Sequence, residues 1–265
     1  MRTGRLSALK LRAGSLFGKY RCPVCYSRVS QFEPLPPLFD EEPRRHGWKY
    51  TIDESETCNA KHYLCPFCGA ADRDRLYALY IREYFPGIDA REAIKIIDFA
   101  PSEALSAFIL RLTSKLPQTF SYRTADLFMA GADDCVDITD MPLYPDNAVD
   151  FFICSHVLEH VVDDRKALRE LHRILKLGGQ GILVVPIVLT LEEIDEDPSV
   201  TDVNERWRRF GQDDHVRLYS KKGFLSRVQE AGFTVHALGR ECFGSAVLKT
   251  HGITDQSVLY IVEKG

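Results

Sequence analysis

The chain has 265 residues, 45% of them hydrophobic and 27% charged, a composition that excludes collagen-like, low-complexity and wholly disordered proteins. Its longest apolar run, residues 182–189, is far too short to span a bilayer. No continuous apolar stretch with a small-residue cleavage site opens the chain, so the expected location is the cytoplasm.

The net charge of −4 conceals an asymmetry. Residues 1–30 carry seven Lys/Arg and no acid, whereas the remainder carries 27 basic against 38 acidic residues. Residues 1–18 therefore read as a basic arm, either a solvated tail or a segment that touches nucleic acid or another anionic surface. Leu6, Leu9, Leu11, Leu16 and Phe17 also leave an amphipathic membrane-surface helix open.

Next in the chain come two knuckles of one form, Cys22-Pro-Val-Cys25 and Cys65-Pro-Phe-Cys68. Each places two thiolates on one tight turn, and four thiolates complete a tetrahedral zinc shell. The reducing cytosol disfavours a disulfide framework here. Residues 34–37 (Pro-Leu-Pro-Pro) and the charged run 40–45 read as an inserted loop between the knuckles. Cys58 and His62 are the second choice for a ligand. The expected unit is a small zinc-ribbon-like module over residues 19–71, with the ion structural.

Beyond it, strands and helices alternate. Residues 72–85 show helical spacing closed by Pro86-Gly87, and 93–100 read as a buried strand. Residues 103–115 form a helix, and 119–124 and 148–154 form strands. Residues 163–177 form a helix capped by Asp163 or Asp164 and stopped by Gly178-Gly179, and 181–189 form another strand. Residues 220–231 read as a helix, followed by strands 233–238 and 257–262 with no helical stretch between them. The fold class is α/β, a doubly wound, mostly parallel sheet with an antiparallel element at its end. Such sheets bind ligands beyond the carboxyl ends of their strands, which directs attention to Asp98, Asp126, Asp137 and Ser155.

At the end of the first strand of this series, Asp98-Phe99-Ala100-Pro101-Ser102-Glu103-Ala104, the three positions where a dinucleotide fold needs glycine hold Ala100, Ser102 and Ala104. Pro101 has no N–H to offer a phosphate. NAD and FAD are disfavoured, and a ligand without phosphates is preferred.

The segment 136–150 (Val-Asp-Ile-Thr-Asp-Met-Pro-Leu-Tyr-Pro-Asp-Asn-Ala-Val-Asp), followed by Ser155-His156-Val157-Leu158-Glu159-His160-Val161 and by 168–179, resembles the class I S-adenosylmethionine-dependent methyltransferases over about residues 93–262. The resemblance implies a seven-stranded sheet over a domain at 72–265, with S-adenosyl-L-methionine as cofactor. It places Asp98 and Ala100 at the methionine end, Asp126 on the ribose hydroxyls, Asp137 on the adenine amino group, Ile138 against the ring, and Ser155 at the next strand end. An ordinary turn-capping role is the alternative for Asp126.

Candidate bases for the transfer are His215, His156 and His160; His156 reads equally as a helix-start residue, and Glu159 and His160 resemble the family's turn-stabilising neighbours. Residues 190–216 are dense in charge and, with 206–217 as part of the cover, read as a lid over the acceptor or as a solvated loop. Three functions follow: methylation of a small polar acceptor, a saccharide or metabolite; methylation of RNA, gripped by the knuckles and basic arm; or a non-catalytic scaffold with a degenerate cofactor site.

Overall fold

The structure, a computed structural model, describes residues 18–90 and 92–265. Most of the expected basic arm and the amphipathic leucines therefore lie outside the described residues. The elements in chain order are β1 (Tyr20–Arg21), β2 (Arg28–Val29), α1 (Leu38–Arg45), α2 (Asp72–Tyr84), β3 (Ile94–Phe99), α3 (Glu103–Thr113), β4 (Phe120–Asp126), β5 (Asp134–Cys135), β6 (Val149–Ser155), α4 (Asp164–Ile174), β7 (Leu175–Val184), β8 (Asp195–Glu196), α5 (Val203–Phe210), β9 (Arg217–Leu218), α6 (Lys221–Glu230), β10 (Phe233–Leu238), α7 (Arg240–Phe243), α8 (Ser245–Thr250) and β11 (Leu259–Lys264).

Seven strands form one sheet in the order β10-β11-β7-β6-β3-β4-β5. The pairs from β7 through to β5 are parallel, and β11 runs antiparallel to both β7 and β10. This is the expected α/β class with its reversed last strand. Period-two alternation divides the core between the two faces of the sheet. Ile96, Phe151, Ile153, Ile182 and Ile261 face α2, α3 and the knuckles, while Ile97, Phe152, Cys154, Leu183 and Val262 face α4 and α6. Truncating a fully buried ring such as Phe151 or Phe152 to alanine would cost about 3–5 kcal/mol.

Helix starts follow local chemistry. Ser102, Asp163, Asp202 and Ser220 each accept a hydrogen bond from the third backbone N–H of the helix they open. Three expectations need correction. Helix α4 ends at Ile174 rather than at the glycine pair, because Leu175 pairs with Val149 and starts β7. Gly178, at φ 73°, instead shapes a bulge that carries the pairing from Leu175–Val149 to Gln180–Phe151. Residues 40–45 belong to a helix, α1, not a loop, and α7 and α8 occupy the connection between β10 and β11.

The knuckles share the core of the sheet: Cys22, Val24, Val29 and Cys65 pack in one cluster with Leu76, Ile96 and Phe108. Arg75 of α2 is fully buried and ties the two parts together. Its guanidinium donates to the carbonyls of Tyr63 and Ala70, both at 2.9 Å, and its Nε to that of His251 at 2.7 Å, and it lies 3.9 Å from the centre of the Phe32 ring. No helix among the described residues is long and apolar enough to cross a membrane.

Candidate functional site

The four knuckle sulfurs converge. All lie within 4.8 Å of one another, with Cys22 Sγ 3.8 Å from Cys68 Sγ and Cys25 Sγ 3.8 Å from Cys65 Sγ. Thiolates held about 2.3 Å from a tetrahedral zinc stand about 3.8 Å apart, so the quartet fits that ion without rearrangement. Cys58 and His62 are not part of the quartet. Cys58 lines a different cavity, its thiol pushed up to about 12 by burial and by Asp72, and His62 Nε2 lies 3.3 Å from Tyr20 Oη.

A cleft of about 810 Å³ opens at the carboxyl ends of β3, β4 and β6. It brings together Ala100, Asp126, Asp137, Ile138 and His156 from the sequence-predicted residues. Ala100 sits at φ 51°, the left-handed conformation that favours glycine, so this turn keeps a glycine-like path without a glycine. Asp126 Oδ1 accepts from the backbone N–H groups of Phe128 and Met129, each at 2.7 Å. Asp137 Oδ1 accepts from the N–H and hydroxyl of Thr139, each at 2.8 Å. Both acids cap their own turns, and both line the cleft. Phe128, 89% exposed, stands at the rim.

Two expected cofactor residues lie elsewhere. Asp98 is buried outside the lining of the cleft, where its Oδ2 accepts from Tyr122 Oη at 2.7 Å; burial pushes its carboxyl up to about 7. Ser155 Oγ pairs with Tyr77 Oη at 2.8 Å and does not line the cleft either.

Past His156 and His160, which line both spaces, lies an inner pocket of about 280 Å³. Its roof comes from between the knuckles (Phe39, Pro43, Trp48, Tyr63), and its far wall from 210–218 (Phe210, Gly211, Gln212, His215, Leu218). Gly211, at φ 79°, ends α5, and a β-carbon there would stand 2.9 Å from Trp48 Cε2. Only glycine permits both the turn and that close approach. Arg73 lines the pocket with its Nη1 donating to Tyr63 Oη at 2.7 Å.

His156, Glu159, His160 and His215 make the polar floor of this pocket. His156 takes φ 57° and donates its backbone N–H to Val184. Its Nδ1 lies 3.4 Å from Glu159 Oε1, and its Nε2 has no partner among the described residues. Glu159 is fully buried, both carboxylate oxygens lack hydrogen-bond partners among the described residues, and burial pushes it up to about 7. His215 is 5% exposed, with Nδ1 unpartnered among the described residues, and burial holds it down at about 3. It stacks edge to face on His160, ring centres 4.7 Å apart. Burial lowers His160, but Asp214, whose Oδ2 is 3.2 Å from His160 Nδ1, and Glu159 raise it further, for a net upward shift.

Buried arginine chemistry holds the turn that carries Glu159. Arg217 donates to the carbonyls of Leu158 (2.5 Å), Val161 and Val162 (2.9 Å) and pairs with Glu196, while Arg227 bonds Asp164 at 2.6 Å. Part of the expected charged lid is thus internal scaffolding. Arg209 is engaged by Asp195 and Asp197, and Arg208 by Glu205.

Residues 121–183 match a family described as a methyltransferase domain. Among solved structures, the chain is similar to the CurJ carbon methyltransferase (12% identity, 73% of this chain and 53% of that one, TM-score 0.46). It is also similar to the [4+2]-cyclase SpnF (17%, 72% and 81%, TM-score 0.42) and to an S-adenosylmethionine-dependent methyltransferase of Archaeoglobus fulgidus (12%, 71% and 92%, TM-score 0.42). The chain spans about half the length of CurJ carbon methyltransferase. No curated protein matches it.

Proposed function

We propose that this chain is a methyltransferase that takes S-adenosyl-L-methionine in the strand-end cleft and a small polar acceptor, a saccharide or metabolite, in the inner pocket. One observation carries the reading: two cavities of unequal size meet at His156 and His160, with the larger lined by Ala100, Asp126, Asp137 and Ile138. The methyltransferase-domain match over residues 121–183 supports it. In this reading Asp126 and Asp137 face the polar rim of the cofactor, Ile138 and Phe128 offer apolar surface to its ring, and Ala100 presents a close backbone turn.

The cofactor supplies a methyl group on a sulfonium. Bound in the cleft, it would give that methyl to a lone pair of the acceptor, the carbon–sulfur electron pair remaining on sulfur. The acceptor's proton must then leave. His156 is the base that best meets this need, since it lines both cavities and its Nε2 has no partner among the described residues. His215 lies deeper, behind His160. Arg73 gives the acceptor pocket a cation and so favours acceptors with an anionic or oxygen-rich group. The quartet Cys22, Cys25, Cys65 and Cys68 holds one structural zinc, supported by its sulfur spacing, and thereby steadies the segment that roofs the pocket.

Calorimetry with S-adenosylhomocysteine, followed by label transfer into small-molecule, glycan and RNA pools, tests the reading. One binding site per chain, weakened in Asp137→Ala, is expected. With an acceptor in hand, His156→Asn should lower turnover about 10²–10⁴-fold at unchanged cofactor affinity. Absence of binding in the parent protein would leave the non-catalytic scaffold as the better reading.

A further inference from the structure

We infer that Glu159, His160 and His215 form a second metal site, one for a divalent cation that prefers nitrogen and oxygen ligands, at the floor of the inner pocket. One ligand atom of each lies within 4.8 Å of the others. The case rests on what burial has left unpaired. Glu159 is fully buried with neither carboxylate oxygen bonded, and His215, 5% exposed, has an unpaired Nδ1, among the described residues. Leaving such groups unsatisfied costs free energy that only a partner can return. An apolar filler cannot supply it, and two imidazoles with one carboxylate are a standard set for Mn²⁺, Fe²⁺, Co²⁺ or Zn²⁺.

The orientation of His160 argues the same way. Asp214 Oδ2 lies 3.2 Å from its Nδ1, which makes Nδ1 the protonated nitrogen and turns the Nε2 lone pair toward Glu159, 3.9 Å away. A carboxylate behind a ligating histidine is the usual outer support of such a ligand. The other cation in the pocket, Arg73, makes no hydrogen bond to Glu159 and is held by Tyr63. Three protein ligands leave coordination positions open, and the pocket is the space they face. An oxygen ligand belongs there; that it is the acceptor's oxygen is the one clause that rests on the methyl-transfer reading.

The test uses the full chain with its cysteine site filled, titrated with Mn²⁺ and separately with Zn²⁺, without cofactor or acceptor. Loss of the free-ion resonance reports Mn²⁺, and metal analysis after desalting reports Zn²⁺. One further ion per chain is expected, with affinity lowered at least 100-fold in Glu159→Gln and in His160→Gln, and about 10–100-fold in Asp214→Asn. His160 is partly exposed, so its variant should fold even if Glu159→Gln does not. The inference is overturned if neither ion binds beyond the cysteine equivalent, or if folded Glu159→Gln or His160→Gln binds like the parent. Because no methyl donor is present, that failure is separate from any failure of S-adenosylhomocysteine to bind.

Discussion

Ala100 and His156 leave adjacent parallel strands in the same left-handed conformation, φ 51° and φ 57°, and both line the strand-end cleft. A β-carbon costs about 1–2 kcal/mol in that region, so the fold holds two strained residues side by side where a ligand would lie. Strain retained at a cleft is an observation that points to use rather than to chance.

Ala100→Gly isolates the first of the pair. The strain it relieves is partly offset by the extra freedom glycine gives the unfolded chain, about 0.4–1 kcal/mol. Stability should therefore rise by between about 0 and about 1.6 kcal/mol. Affinity for S-adenosylhomocysteine should be kept or improved, as a barer turn lets the ligand approach. Urea denaturation and calorimetry on the same preparations check both, and a large loss of stability would mean that the Ala100 methyl makes packing contacts that outweigh its backbone.

Cys65→Ser should remove the knuckle metal and destabilise the whole chain, since the quartet shares its core with Ile96 and Phe108 of the sheet and its neighbour. Cys58→Ser should keep the metal. Metal analysis with thermal unfolding separates the two variants. Full metal content in Cys65→Ser would place the ion elsewhere.

Asp98 predicts a pH dependence of opposite sign to that of a paired carboxylate. Burial raises its carboxyl to about 7, opposed by the Tyr122 hydrogen bond, against about 3.9 in an unfolded chain. Between those values the folded state keeps a proton that the unfolded state has released. Stability from this group is therefore greatest at acid pH, falls as pH rises toward 7 by at most about 1.4 kcal/mol per unit, and levels off above. Asp98→Asn should remove that slope, seen as urea midpoints that differ less between about pH 4.5 and about pH 7.5 than the parent's. Its cofactor affinity should not change, because Asp98 does not line the cleft.

Why Asp98 and Ser155 lie off the lining of the cleft, while Ala100 and Asp137 are on it, is a matter of which interactions are local. The apolar periodicity of 94–99 and 149–155 and the caps Ser102, Asp163 and Ser220 act within a few residues, so strand and helix positions were legible. The partners that draw Asp98 and Ser155 away from the cleft, Tyr122 and Tyr77, lie 24 and 78 residues distant. The end of α4 was misplaced for the same reason: Leu175 is claimed by Val149 across the sheet. Helix α1 was hidden because Pro43 sits inside it and it buries little else. Glu159 stood in a quoted motif, but its burial depends on packing by Val216 and Arg217, more than 50 residues on.

That packing gives the last prediction. Arg217 is 1% exposed, with Nη1 and Nη2 donating to three carbonyls of the turn 158–162 and Nε on Glu196. Arg208, in the same charge-rich stretch, holds only Glu205 at the surface. A uniformly solvated loop would make the two arginines equivalent; the structure makes them opposites. Arg217→Met leaves those three carbonyls without their donor, although the exposed Glu196 keeps Arg227, and should cost about 3–5 kcal/mol. Arg208→Ala should cost less than about 1 kcal/mol, as exposed pairs do. Urea melts of the two variants measure the contrast directly. If Arg217→Met is stable enough to assay, loosening the turn should also weaken whatever Glu159 and His160 hold, so metal or acceptor affinity should fall while S-adenosylhomocysteine affinity, set by the Asp126 and Asp137 turns, falls less. Equal stability of the two variants would return residues 206–217 to a solvated surface loop and remove Arg217 as the support of the site.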